Sequence, residues 1–72
     1  MNINRDTKLA DLFGNYPWLI DELATINDKF KMVKTPMGKI MLKKATIAEM
    51  CKKSGMDEAT LISEIEKRIE RR

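Results

Sequence analysis

Residues 46–65, TIAEMCKKSGMDEATLISEI, carry the signals that decide the fold. Thr46 followed three residues later by Glu49 forms a capping box, in which the hydroxyl and the carboxylate reciprocally satisfy amides that a helix start leaves unpaired. The helix so opened runs to Gly55, because glycine enters the left-handed conformation that ends many helices without a steric penalty. Asp57 then caps a second helix, which turns Leu61, Ile62, Ile65 and Ile69 inward at spacings of three and four. Glu64 sits four residues before Arg68, a favourable pairing on a helix surface.

Upstream of this corner, punctuation residues divide the chain into further short helices. Thr7 is placed to cap a first helix with Leu9, Leu12 and Phe13 on one face, ended by Gly14 and Asn15. Pro17 suits a first helical position, since it lacks an amide hydrogen that a helix start does not use. Leu19, Ile20, Leu23 and Ile26 supply the buried face of that second helix, and Asn27 and Asp28 close it. Residues 29–34 fit either an extended linker or a loose turn that tucks Phe30, Met32 and Val33 under its neighbours. Thr35 and Pro36 restart a helix, with Met37, Ile40 and Met41 on one side. The expected architecture is all-α: a single domain over residues 1–72 with about five short helices in an orthogonal bundle, the last two in a helix-turn-helix-like corner.

Composition bounds what such a chain can do. Seventy-two residues leave no core to spare for a large cavity. Hydrophobic residues at 43% and charged residues at 35% match a globular chain, not a disordered one. A lone cysteine, Cys51, excludes an internal disulfide, and residues 1–8 show no apolar stretch resembling a signal peptide, so a cytoplasmic location is expected. No apolar run approaches a membrane span.

Charge is unevenly placed. Residues 1–28 set Arg5 and Lys8 against Asp6, Asp11, Asp21, Glu22 and Asp28, a balance of −3. Residues 29–53 hold eight lysines against Glu49 alone, a balance of +7, and the remainder returns to −1. A basic middle attracts anionic partners, although lysines at helical spacing also serve as a solvated face.

Catalytic chemistry finds little to work with. There is no histidine, so no ordinary triad, imidazole base or histidine-containing zinc site. Cys51, one turn after Ile47, reads as a small hydrophobe of the core, with a redox or crosslinking role as the alternative. The carboxylate pairs Asp21 with Glu22 and Asp57 with Glu58 are adjacent in sequence and diverge on a helix. They read as helix-start charges. Six methionines, with Met37 and Met41 four apart, raise soft-metal binding, but methionine commonly fills gaps in small helical cores. Gly14, Gly38 and Gly55 are isolated and build no phosphate loop. No enzyme activity, cofactor, metal or small-molecule substrate is expected.

Residues 46–65 also resemble the helix-turn-helix of bacterial repressors in register, with small Cys51, Gly55 in the turn and apolar Met56. The positions that would face bases and phosphates hold Asp57, Glu58, Ala59, Ile62 and Ser63. Two carboxylates there repel a phosphate backbone.

Over most of the chain, the order of Asp6-Thr7-Lys8-Leu9-Ala10-Asp11-Leu12, Tyr16-Pro17 with Leu23, Ile26-Asn27 with Phe30-Lys31, Pro36, Ala45-Thr46-Ile47 and Gly55-Met56-Asp57 resembles a small bacterial and archaeal family of unknown function. Its relatives include the hybrid-cluster-protein-associated disulfide domain and, more distantly, the first domain of iron-sulfur cluster repair proteins. The resemblance implies an all-helical fold and a redox or metal-centre theme. Those relatives carry paired cysteines between the positions of Met37 and Lys44, where this chain reads Met-Gly-Lys-Ile-Met-Leu-Lys-Lys. Neither a disulfide switch nor a two-cysteine metal site can form here. Fusion of family members to hemerythrin-like and sensory modules implies a docking or accessory role.

The sequence therefore points to a non-catalytic module that binds another protein, or itself, through an apolar patch rimmed by lysines. Trp18 is its candidate anchor, since large aromatics dominate binding surfaces when exposed; the alternative is that Trp18 packs beneath Phe30. A second expectation is nucleic-acid binding with Lys39, Lys43, Lys52 and Lys53 as phosphate contacts. No membrane partner is expected.

Overall fold

The N-terminal turn and the start of the helix at residue 47 are stitched together by backbone bonds, and the rest of the chain is arranged around that seam. A computed structural model describes residues 2–71. Among these it places five α-helices: α1 (Leu9–Asn15), α2 (Leu19–Ile26), α3 (Pro36–Lys44), α4 (Ile47–Ser54) and α5 (Glu58–Glu70), with a 3-10 helix over Asp28–Lys34 between α2 and α3. The fold class is all-α, as the sequence indicates.

An isolated antiparallel bridge pairs Lys8 with Thr46. Leu9 N donates to Ala45 O at 3.0 Å and Ile47 N to Thr7 O at 3.0 Å, while Ala48 N donates to Arg5 O at 2.9 Å. Glu49 N reaches Thr46 Oγ1 at 3.4 Å. The first three free amides of α4 thus find acceptors, two in the N-terminal segment and one in the Thr46 side chain. Thr7 does not cap α1; the cap position is Lys8, with no side-chain bond. The Thr7 hydroxyl is used locally instead, accepting from Asn4 N at 3.0 Å and donating to Asn2 O at 3.4 Å, the competition that short polar side chains offer to helix caps.

The core collects Leu9, Leu12 and Phe13 from α1, Leu19, Leu23 and Ala24 from α2, Phe30 from the 3-10 helix, Ala45, Ile47, Met50 and Cys51 around α4, and Leu61 and Ile65 from α5. Ile26, expected on the buried face of α2, is 40% exposed. The buried arc of α2 is centred on Leu23 and Ala24, which leaves Ile26 at its edge as the helix ends.

Residues 28–34 are neither linker nor loose turn. Asn27 is extended, at φ −155° and ψ 117°, and its side-chain oxygen accepts from Lys29 N at 3.0 Å. That cap starts a 3-10 helix, and three residues per turn stack Phe30 directly over Val33. Both are buried, and Met32 faces out.

Gly38 fixes how α3 lies on this helix. A Cβ built there would stand 1.8 Å from Met32 O and 2.7 Å from Val33 Cα, so only a residue without a side chain allows the two backbones to approach. Gly38 is also the sole buried residue within α3.

The α4–α5 corner follows the sequence closely. Gly55 adopts φ 75° and donates to Cys51 O at 2.8 Å. Asp57 accepts from Thr60 N at 3.1 Å. Arg68, nearly covered, bonds Glu64 and reaches Glu22 of α2 at 3.5 Å.

Candidate functional site

On α3, positions 37, 40, 41 and 44 share one face at helical spacing. Those positions hold Met37, Ile40, Met41 and Lys44. Because Gly38 sets the side that meets the 3-10 helix, Met37 and Ile40 turn away from the core, while Met41 packs partly against it. Met37 is 82% exposed and Ile40 62%, and only Met41 is partly covered. Core packing expected for Met37 is therefore not observed.

Beside this stripe lies a groove of about 340 Å³, lined by Met32, Thr35, Met37, Gly38, Met41 and Lys53. Its lining comes from the 3-10 helix, the Thr35 cap, α3 and, through Lys53, α4. Thr35, the cap of α3, has its hydroxyl committed: it accepts from Gly38 N at 3.0 Å and donates to Met32 O at 2.7 Å. Lys53 is thus the one charged group in an otherwise thioether-rich concavity. Methionine linings adapt to varied apolar occupants. The same thioethers are soft metal ligands, but a neighbouring ammonium opposes a bound cation.

The residues singled out from sequence separate in space. Lys53 lines the groove. Lys39 and Lys43 are exposed on α3, one turn apart and flanking Ile40 on the side away from the groove. The charge of Lys52 helps hold the Glu58 carboxyl, at the start of α5, low. Trp18 takes no part in the lining. It is half-buried against the core, its ring edge-on to Tyr16 with centroids 6.0 Å apart. Of the groove lining, the sequence indicates only Lys53 as a contact; it assigns Met37 and Met41 to the core, Met32 to a segment under its neighbours and Thr35 to a helix start, and gives Gly38, like Lys44 of the same helix, no site. Lys44 completes the 37, 40, 41 spacing, and an isolated glycine within a helix is itself a sign of close backbone approach.

Several charged side chains elsewhere are held in ion pairs. Arg5 forms a two-point clamp on Glu58, at 2.9 and 3.2 Å. This hydrogen bond draws the Glu58 carboxyl below the ordinary carboxylate range. Arg68 does the same to Glu64. Cys51 is buried, and burial, then the Glu58 and Asp57 carboxylates, push its thiol up, the reverse of what a reactive thiolate needs. Among the described residues, no cluster of three His, Cys, Asp or Glu side chains could hold a metal ion, and no helix is long and apolar enough to cross a membrane.

A family described as a domain of unknown function, DUF1858, matches residues 3–62. The chain belongs to the DUF1858 family. That match spans the N-terminal turn, the seam to α4, the groove with all of its lining and the opening turn of α5. No curated protein and no solved structure matches this DUF1858 chain.

Proposed function

We propose that this DUF1858 domain is a non-catalytic protein-interaction module that binds through the outer face of α3 and the adjoining groove. The observation that carries the reading is the exposure of Met37 and Ile40, at 82% and 62%, on a helix whose orientation is fixed by Gly38. Single exposed apolar side chains are ordinary. A contiguous set beside an apolar concavity, rimmed by lysines, is the pattern of an interaction surface. Covering such a set stabilises a complex by roughly 25 cal/mol per Å² of apolar surface removed from water.

A small-molecule substrate fits less well, since the Thr35 hydroxyl is already bonded on both sides and Lys53 alone remains to orient a ligand. A lone, covered Cys51 suits a reducing cytoplasm, where it stays a thiol. The resemblance to the hybrid-cluster-protein-associated disulfide domain and the iron-sulfur cluster repair proteins bears on the same face. That resemblance implies paired cysteines in the segment that here forms α3, where this chain instead carries Met37, Ile40 and Met41.

Nucleic-acid binding draws on the basic balance of residues 29–53. Two features weigh against it. The opening of α5, which would enter a groove of DNA, is occupied by the Asp57 cap and the Arg5–Glu58 clamp, and Met37 with Ile40 stands among the lysines that would meet phosphate.

Site-specific photocrosslinking tests the reading in cells expressing the full chain. A photoreactive residue at Ile40 is expected to capture a discrete protein, and one at Asp11, on exposed α1 surface, is not. Equal capture from both positions, or none from Ile40, overturns the proposal.

A further inference from the structure

The charge around the α3 face specifies what kind of protein fits it. Basic side chains divide into those held in ion pairs and those in none, the latter including Lys8, Lys29, Lys67 and Arg71 elsewhere on the chain as well as five lysines of α3 and α4. Arg5, Lys31, Lys34 and Arg68 are each held by carboxylates of the same chain: Glu58 and Asp6, Asp28, Asp21, and Glu22 with Glu64. The ion pairs among the described residues include none from Lys39, Lys43, Lys44, Lys52 or Lys53. Three of these unpaired lysines stand at the apolar face: Lys53 in the groove lining, Lys44 one turn beyond Ile40 on the stripe, and Lys43 beside Ile40. Neither α3 nor the groove lining contains a carboxylate.

We propose that the groove receives an amphipathic helix of another protein, its apolar stripe seated between Met32, Met37 and Met41 and its flanks acidic toward Lys44 and Lys53. This rests on the reading of α3 as a protein-binding face. A helix presents apolar side chains every three or four residues along one line, the form in which amphipathic helices seat in apolar grooves. Carboxylates on its flanks meet lysines that no internal partner neutralises, which favours encounter and selects the partner. A second copy of this chain offering the same face would set Lys43, Lys44 and Lys53 against their own images, a like-charge contact that specific interfaces avoid. A lipid surface, being flat, would cover Met37 and Ile40 while leaving the groove unfilled.

The experiment is an amide NMR titration of the labelled full chain with two synthetic helical peptides. They share one leucine stripe at i, i+3, i+4 and i+7 and differ in carrying glutamates or lysines beside it. The glutamate peptide is expected to shift amides of residues 32–41 and of Lys53, and to bind about tenfold more tightly than the lysine peptide at low salt. Added salt narrows the difference. The exposed double substitution Lys44→Glu with Lys53→Glu reverses the order. Equal affinity of the two peptides at these amides overturns the acidic partner and leaves the binding face standing. No shift from either peptide, together with shifts at the same amides from anionic vesicles or duplex DNA, overturns both. Concentration-dependent pairing of the chain through α3 overturns the acidic helix as the occupant.

Discussion

The α4–α5 corner and the α3 segment are built from similar residues and used in opposite ways. At the corner, apolar side chains hold the element in place: Ile47, Met50, Leu61 and Ile65 are almost wholly buried. In α3 an absent side chain sets the close approach, because Gly38 lets its backbone rest on Met32; Met41 and Leu42 are only partly buried against the core, and the large apolar side chains Met37 and Ile40 are left outside. A close backbone contact, helped by the partly buried Met41 and Leu42, seats this helix with few buried side chains of its own, and Met37 and Ile40 are then available for another molecule.

The most severe way to break this comparison is Gly38→Ala. With a Cβ 1.8 Å from a carbonyl oxygen, one of the two backbones must move. The expected cost is about 3 kcal/mol or more, most of the margin a chain of this size holds. Chemical denaturation with circular dichroism reads it; a variant as stable as the wild type would mean that α3 is not seated on the 3-10 helix. Leu61→Ala tests the opposite strategy at the corner and is expected to cost about 2–5 kcal/mol, the loss of a fully buried side chain plus the cavity it leaves. Asp57→Ala removes the acceptor for Thr60 N and is expected to cost about 1 kcal/mol. Asp57→Asn restores most of it.

The smallest effect comes from acid. The Glu58 carboxyl is drawn below its ordinary range by the Arg5 hydrogen bond, so the clamp contributes stability above the unfolded carboxyl range and loses it as pH falls through the lower folded value. Melting temperatures between neutral and acidic pH should therefore fall slightly more steeply for the wild type than for Glu58→Gln. Identical slopes would show that the clamp is not made in solution.

The corner was legible because its signals are local. Thr46, Gly55 and Asp57 each act on atoms within a few residues, and a glycine at φ 75° is where a glycine-terminated helix ought to end. In α3 the spacing of Met37, Ile40 and Met41 showed which residues share a face but could not show which face meets the core. That is settled by Gly38 and Met32 O, a contact between separate elements. The 3-10 helix was hidden for a related reason, since a period of three brings Phe30 over Val33 where no helical or strand period is being sought. The lysines of the basic middle were visible as a sum, and only the fold separates Lys53, in the groove lining, from Lys52, whose charge acts on Glu58. Trp18, read from sequence as a candidate anchor, is half-buried with its ring edge-on to Tyr16 two residues away.

The most direct test of the central claim is the double substitution Met37→Glu with Ile40→Glu, followed by both thermal unfolding and the Glu-flanked peptide titration. Because both side chains lie outside the core, the melting curve is expected to stay near that of the wild type, within roughly 0.5 kcal/mol for each site, while peptide-induced shifts across α3 disappear. A variant that unfolds, or one that stays folded and still binds the peptide, would contradict the assignment of this face to a partner.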